Sequence, residues 1–142
     1  MIIIEGVDNS GKTMLAEYLA KELGRSIKVV HSGGPVEPKF GAGRILWAMM
    51  ALTSQRPIIC DRIPFISEEV YGPILRGGNP LREEFDWEIL LDWFKSFHPL
   101  IIYCRPDEKT MMETFKDRSQ LEGVDKNFKK LVMTYDQYME KL

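Results

Sequence analysis

Apolar positions switch along the chain between short unbroken runs and helical spacing. Met1 to Ile4 is one continuous apolar run, the pattern of a strand buried on both faces. From Thr13 to Leu23 the residues Leu15, Leu19 and Leu23 recur on one helix face with Ala16 and Ala20 beside them, and Gly24 supplies a natural stop. Ile27 to His31 predicts a second strand, Gly33-Gly34-Pro35 a loop, and Gly41 to Thr53 a second helix. Pro57 to Cys60 predicts a third strand running into Asp61-Arg62, and Ser67 to Leu75 a helix closed by Gly77-Gly78. Glu83 to Phe97 sets Phe85, Ile89, Trp93 and Phe97 at helical four-residue intervals, and Pro99 ends it. Leu100 to Tyr103 predicts a fourth strand, followed by helices over Asp107 to Arg118 and Phe128 to Leu142. Strands alternating with helices in this way imply a parallel sheet covered by helices. No strand-like run follows the last helix.

Composition narrows the class. A chain of 142 residues suits a single domain over 1–142 with one core. With 44% apolar and 28% charged residues it has a globular rather than a disordered mix. The 19 Lys+Arg against 21 Asp+Glu leave a net charge of −2, without the basic excess that DNA-binding chains use to neutralise phosphates. No apolar segment approaches the roughly 20 residues of a membrane span. Met1 to Ile4 lacks a basic leader and runs straight into Glu5, unlike a signal peptide. Cys60 and Cys104 each adjoin a β-rich apolar run, which predicts buried free thiols and a reducing, cytoplasmic setting.

The residues from Gly6 to Thr13, Gly6-Val7-Asp8-Asn9-Ser10-Gly11-Lys12-Thr13, fit the phosphate-binding pattern G-x-x-x-x-G-K-[ST] at every fixed position. Glycines allow the backbone to wrap closely and aim its N–H groups, here those of Asn9, Ser10 and Gly11, at phosphate oxygens. The following helix adds its positive end. Lys12 reaches the β- and γ-phosphates of ATP in such a loop, and the Thr13 hydroxyl ligates Mg²⁺. The loop lies between an apolar strand and an amphipathic helix, the context that gives the pattern its meaning. The fold expected is therefore a three-layer P-loop NTPase fold, α/β, with a mostly parallel sheet and helices on both faces.

Asp61-Arg62 directly follows the third predicted strand, and ligands of open parallel sheets gather at the carboxyl ends of the strands. Asp61 can face the magnesium or an attacking hydroxyl, and Arg62 can grip an acceptor phosphate in bidentate fashion.

At this point the chain resembles the thymidylate kinase family of P-loop nucleoside monophosphate kinases, in the form carried by bacteriophages. The likeness begins at Ile4 to Thr13, with an acidic residue inside the loop, and continues through Asp61-Arg62 and the run Ser67 to Gly77. Weaker matches are Leu100 to Tyr103 with Pro106, then Arg118, Glu122, Phe128 and Tyr135. The resemblance implies ATP and Mg²⁺ as cofactors and dTMP, or a modified pyrimidine relative, as acceptor. It implies that Asp8 lies near the acceptor sugar, that Arg62 holds the acceptor α-phosphate, and that Asp61 helps position magnesium. It puts Arg44 toward the acceptor base with Tyr71 nearby, Glu37-Pro38 in a loop lining the acceptor site, and Lys116 and Arg118 in a lid over the transferring group. Thymidylate kinases commonly pair through helices, so Trp47, Met49 and Met50 suit either the core or a homodimer face.

Each of these residues has a plainer alternative. Arg44 fits a solvated helix position, Tyr71 plain core, and Lys116 and Arg118 cations answering a helix dipole. Asp61-Arg62 to Ser67 and Tyr71 is one residue longer than in the cellular enzymes, and the family's usual final strand has no counterpart here. Competing functions are a deoxynucleoside or DNA-base kinase, a non-catalytic P-loop protein and a small-metabolite kinase. Nucleoside kinases tend to carry Glu-Arg where this chain has Asp61-Arg62, because a neutral hydroxyl needs a base.

Overall fold

The computed structural model describes residues 1–24, 26–32, 41–115 and 123–142. Its order is β1 (Ile2–Glu5), α1 (Lys12–Leu23), β2 (Lys28–His31), α2 (Gly41–Thr53), β3 (Ile58–Asp61), α3 (Pro64–Leu75), α4 (Leu81–Glu84), α5 (Trp87–Ser96), β4 (Leu100–Tyr103), α6 (Glu108–Phe115) and α7 (Val124–Met139). Among the described residues the four strands form one sheet in the order β2-β3-β1-β4, and every pairing is parallel.

Because successive strand side chains point to opposite faces, each strand feeds two layers. Ile3 and Cys60 face a large cluster built with α2, α3, α5 and α7, whereas Ile4 and Ile59 face a small one built with Ala16, Leu15 and Leu19 of α1. Helices therefore cover both faces, as expected, but unequally. Cys60 is a buried free thiol and Cys104 a half-buried one. No helix among the described residues is long and apolar enough to cross a membrane.

Several boundaries depart from the sequence expectation for local reasons. The stretch from Glu83 to Phe97 is two helices: Phe85 adopts an extended conformation and Asp86 caps α5, its carboxylate accepting from Ile89 N–H at 3.4 Å. The buried face of α5 is then Trp87, Leu91 and Phe94, while Ile89 is 65% exposed. Phe65 stacks on Phe94 at 5.0 Å and tilts against Trp87 at 5.8 Å. Helix α3 starts at Pro64 rather than Ser67, since proline at the first helical position is preset for the helix and needs no N–H partner. Helix α7 starts at Val124 and buries Val124, Phe128, Leu131, Val132 and Tyr135 on one face. On α2, Trp47 and Met49 pack against the core, whereas Met50 is 63% exposed.

Candidate functional site

Strand β1 connects toward β2 on one side, while β3 connects past it to β4 on the other. The crevice between the ends of β1 and β3 is thus the point where connections diverge and ligands bind in open sheets. Both chemistry-bearing segments arrive there: the loop after β1 and Asp61-Arg62 at the end of β3.

The loop turns through positive φ at Gly6 (144°), Asn9 (61°) and Gly11 (85°). At Gly6 a side chain would run into the Cys104 carbonyl oxygen, so glycine is needed there for space as well as conformation. Lys12 is 6% exposed and curls over its own loop, donating from Nζ to Val7 O at 2.5 Å and to Ser10 Oγ at 3.3 Å. Burial, then the nearby charge of Arg62, pushes its pKa down to about 8, against the pull of Asp8, Asp61 and Glu5. A buried lysine with a weakened hold on its proton gains when an anion arrives beside it.

On the α1 side of the sheet, Asp61 Oδ2 accepts from Thr13 Oγ1 at 2.6 Å and from His31 Nδ1 at 3.0 Å. The two predicted metal residues, Thr13 and Asp61, are therefore in contact. A carboxylate beside a hydroxyl is a hard-oxygen donor pair of the kind magnesium takes, so the residues present fit the cation.

On the other side lies Arg62, a non-glycine residue at φ 71°. Its backbone N–H donates to Ile4 O at 2.9 Å, which joins it to β1. The buried guanidinium donates from Nη2 to Asp8 Oδ1, to Tyr71 Oη at 2.8 Å and to Gly6 O at 3.4 Å, and lies 4.8 Å from the Tyr71 ring centroid. Tyr71 Oη also accepts from Asp8 N–H at 3.1 Å. Burial works against the arginine charge, but the surrounding Tyr71, Tyr135, Asp8 and Glu5 raise its pKa overall and keep it cationic. Among the described residues, Arg62 Nε, Asp8 Oδ2 and Asn9 Nδ2 are buried without a hydrogen-bond partner. Orphaned donors and an orphaned acceptor around a phosphate-type loop are what a polar ligand satisfies.

Of the sequence-derived candidates, Asp8, Asn9, Ser10, Gly11, Lys12, Thr13, Asp61, Arg62 and Tyr71 thus gather at one crevice. Arg44 stands apart from the solvated alternative: half-buried on α2, it acts electrostatically on Glu68 of α3. Burial raises the Glu68 pKa, opposed first by Arg76, which donates to its Oε2, and then by Arg44. Lys116, Arg118, Glu122 and the loop with Glu37-Pro38 lie outside the described residues.

Sequence reasoning gave no site role to Glu5, Tyr135 or His31, although Glu5 falls within the Ile4 to Thr13 likeness and Tyr135 is one of its weaker matches. Glu5 ends β1 with 0% exposure, accepting from Ile63 N–H at 2.7 Å and from Tyr135 Oη at 3.0 Å. Tyr135 also lies edge-on to Tyr71, with centroids 5.9 Å apart, and stacks on Tyr103 at 5.8 Å. In the hydrophobic pattern the signal for Glu5 was a charged residue terminating an apolar strand. For Tyr135, the helical pattern gives only core.

An all-parallel four-stranded sheet flanked by helices, a glycine loop opening α1 and a carboxylate at the neighbouring strand end define an α/β fold of the P-loop kind. Consistent with this, the chain is similar to YorR from Bacillus subtilis, a protein crystallised in complex with phosphorylated GDP. The TM-score is 0.66 at 18% identity, with 99% of this chain and 79% of that chain covered. No protein-family model matches the chain, and no curated protein matches it either.

Proposed function

We propose that this protein is a nucleotide kinase that transfers the γ-phosphoryl group of ATP to a nucleoside monophosphate, with dTMP or a modified deoxypyrimidine relative as acceptor. The observation that carries the reading is the buried Arg62 guanidinium, set against Asp8 and Tyr71 beside the Lys12 loop with its Nε unpartnered. A buried cation with a spare donor next to a triphosphate loop suits a second phosphate. The structural neighbour's phosphorylated GDP supports a nucleotide as ligand of this fold.

Phosphoryl transfer asks the protein to position reactants and neutralise charge rather than supply covalent chemistry. Lys12 leaves Val7 O for the β- and γ-phosphates, and the loop N–H groups hold the chain of phosphates. Arg62 holds the acceptor α-phosphate, and Asp8 takes a hydroxyl of its sugar on the free Oδ2. Arg44 is the cation on the acceptor-base side, and Arg118 completes the charge over the transferring group. The acceptor oxygen is already ionised and needs no general base. Thr13 and Asp61 would hold magnesium, which when bound would supply charge neutralisation at the phosphates.

The test is ATP-to-ADP turnover with each nucleoside monophosphate in turn, 5-hydroxymethyl pyrimidines included, with Lys12→Ala as control. Turnover stimulated by one monophosphate and lowered about 100-fold or more by Lys12→Ala is the expected result. ATP binding without stimulation by any monophosphate rejects the acceptor class, and near-normal turnover by Lys12→Ala rejects the loop's role.

A further inference from the structure

His31 is absorbed by none of the roles above, yet three elements converge on it. Strands β2 and β3 pair in parallel with His31 opposite Asp61, each the last residue of its strand. Opposed residues of a parallel pair project to the same face, and two-residue periodicity puts both on the side of Val29 and Ile59, where α1 packs. The first turn of α1 brings Thr13 to the same point. The result is one carboxylate oxygen, Asp61 Oδ2, with Thr13 Oγ1 at 2.6 Å and His31 Nδ1 at 3.0 Å. A carboxylate only accepts, so the imidazole donates from Nδ1–H.

We propose that His31 is a positioning residue that fixes the Asp61 carboxylate for the divalent cation accompanying the nucleotide phosphates. This rests on the reading of Thr13 and Asp61 as the cation's residues. Among the described residues, the hydrogen bonds to the Asp61 side chain all fall on Oδ2, which leaves Oδ1 to face the cation or its water. A carboxylate held by one donor still turns about its last torsion. Two donors from different elements stop that rotation. Thr13 alone is a poor anchor, because its hydroxyl oxygen is also the group that ligates the cation. His31, from the neighbouring strand, holds Oδ2 independently of that event. The Asp61 side chain is only 9% exposed, so water competes weakly for the bond, while the His31 side chain is 50% exposed and its removal leaves no core cavity. Outer-shell donors of this kind change cation affinity by about 10–100-fold.

The experiment compares ADP affinity by calorimetry with Mg²⁺ and with a chelator, and Mn²⁺ binding by electron paramagnetic resonance. The proteins are the native chain, His31→Ala, His31→Asn and Asp61→Asn, with folding checked by thermal denaturation. His31→Ala is expected to bind metal-free ADP like the native chain and to lose about 10-fold in the Mg²⁺-dependent gain and in Mn²⁺ affinity. His31→Asn, whose amide nitrogen stands near the position of Nδ1, is expected to restore most of it. Equal weakening with and without metal, or no weakening, overturns the proposal. Loss in Asp61→Asn without loss in His31→Ala overturns the role of His31 alone. No loss in either overturns the cation assignment of Asp61 as well.

Discussion

The Glu5 carboxylate has no exposed surface, lies in the field of both Arg62 and Lys12, and accepts from Ile63 N–H and Tyr135 Oη. Burial pushes its pKa up to about 7, with Arg62, the two hydrogen bonds and Lys12 pulling the other way. By accepting from the N–H that follows Arg62, it also holds the backbone turn in which Arg62 sits at φ 71°, a conformation costing an ordinary residue about 1 kcal/mol or more. The raised value fixes the direction of a pH effect. Between the ordinary glutamate value and about 7 the folded chain keeps a proton that the unfolded chain has lost. The stabilisation is full below the unfolded value and disappears as pH rises through the folded one. Relative to Glu5→Gln, the native chain should therefore lose up to about 3 kcal/mol between pH 4.5 and 7, read from thermal denaturation across that range. A flat difference would show Glu5 ionised throughout. The sequence marked Glu5 only as a charge beside an apolar run. Its burial depends on Tyr135, 130 residues away.

At the scale of elements, helix α3 links the ligand crevice to the rest of the molecule. Its face from Pro64 to Gly72 is almost wholly buried, and it carries Tyr71 to Arg62 while Glu68, three residues earlier, receives Arg76 from the helix's C-terminal end. Gly72 lets the turn after α3 close onto it: a Cβ there would stand 2.7 Å from Gly78 O and 2.9 Å from Asn79 Cα. Backbone cannot give way cheaply, so Gly72→Ala should cost about 1–3 kcal/mol in denaturant unfolding and loosen the neighbouring contact of Tyr71 with Arg62. Asp86→Ala makes a useful contrast. Its cap on α5 is solvent-exposed, and its loss should cost only about 0.5–1 kcal/mol by the same measurement. The two helices around Asp86 were written as one in the hydrophobic pattern, because Phe85, Ile89, Trp93 and Phe97 keep helical spacing across the break. What pattern reading lacked was the choice of face. Phe65 offers its ring to Trp87 and Phe94, and that aromatic packing turns Ile89 outward.

For the molecule as a whole, the ligand crevice is where β1, β3, α1 and α3 meet, so filling it joins both layers across the sheet. A ligand that binds only the folded chain adds stability by mass action. ATP with Mg²⁺ at about 100 times its dissociation constant should add about 2.7 kcal/mol and raise Tm by roughly 5–10 °C. Differential scanning calorimetry checks this, and Lys12→Ala should abolish the shift. Local chemistry written in order along the chain was legible without coordinates: the glycine loop of Gly6 to Thr13, the alternation of strands and helices, and Asp61-Arg62 ending a strand. Such features depend on neighbours in sequence, where spacing and backbone preference act directly. Convergence was legible only as far as the family resemblance implied it, with Thr13 and Asp61 sharing magnesium and Asp8, Arg62 and Tyr71 sharing the acceptor; the contacts themselves were not. The contact of Thr13 with Asp61, the approach of Arg62 to Asp8 and Tyr71, the face of α5, and the places of His31, Glu5 and Tyr135 all depend on strand order and on which face each side chain takes. These are long-range choices, settled when the parallel sheet closes and the apolar layers pack, and no single segment carries the energy that decides them.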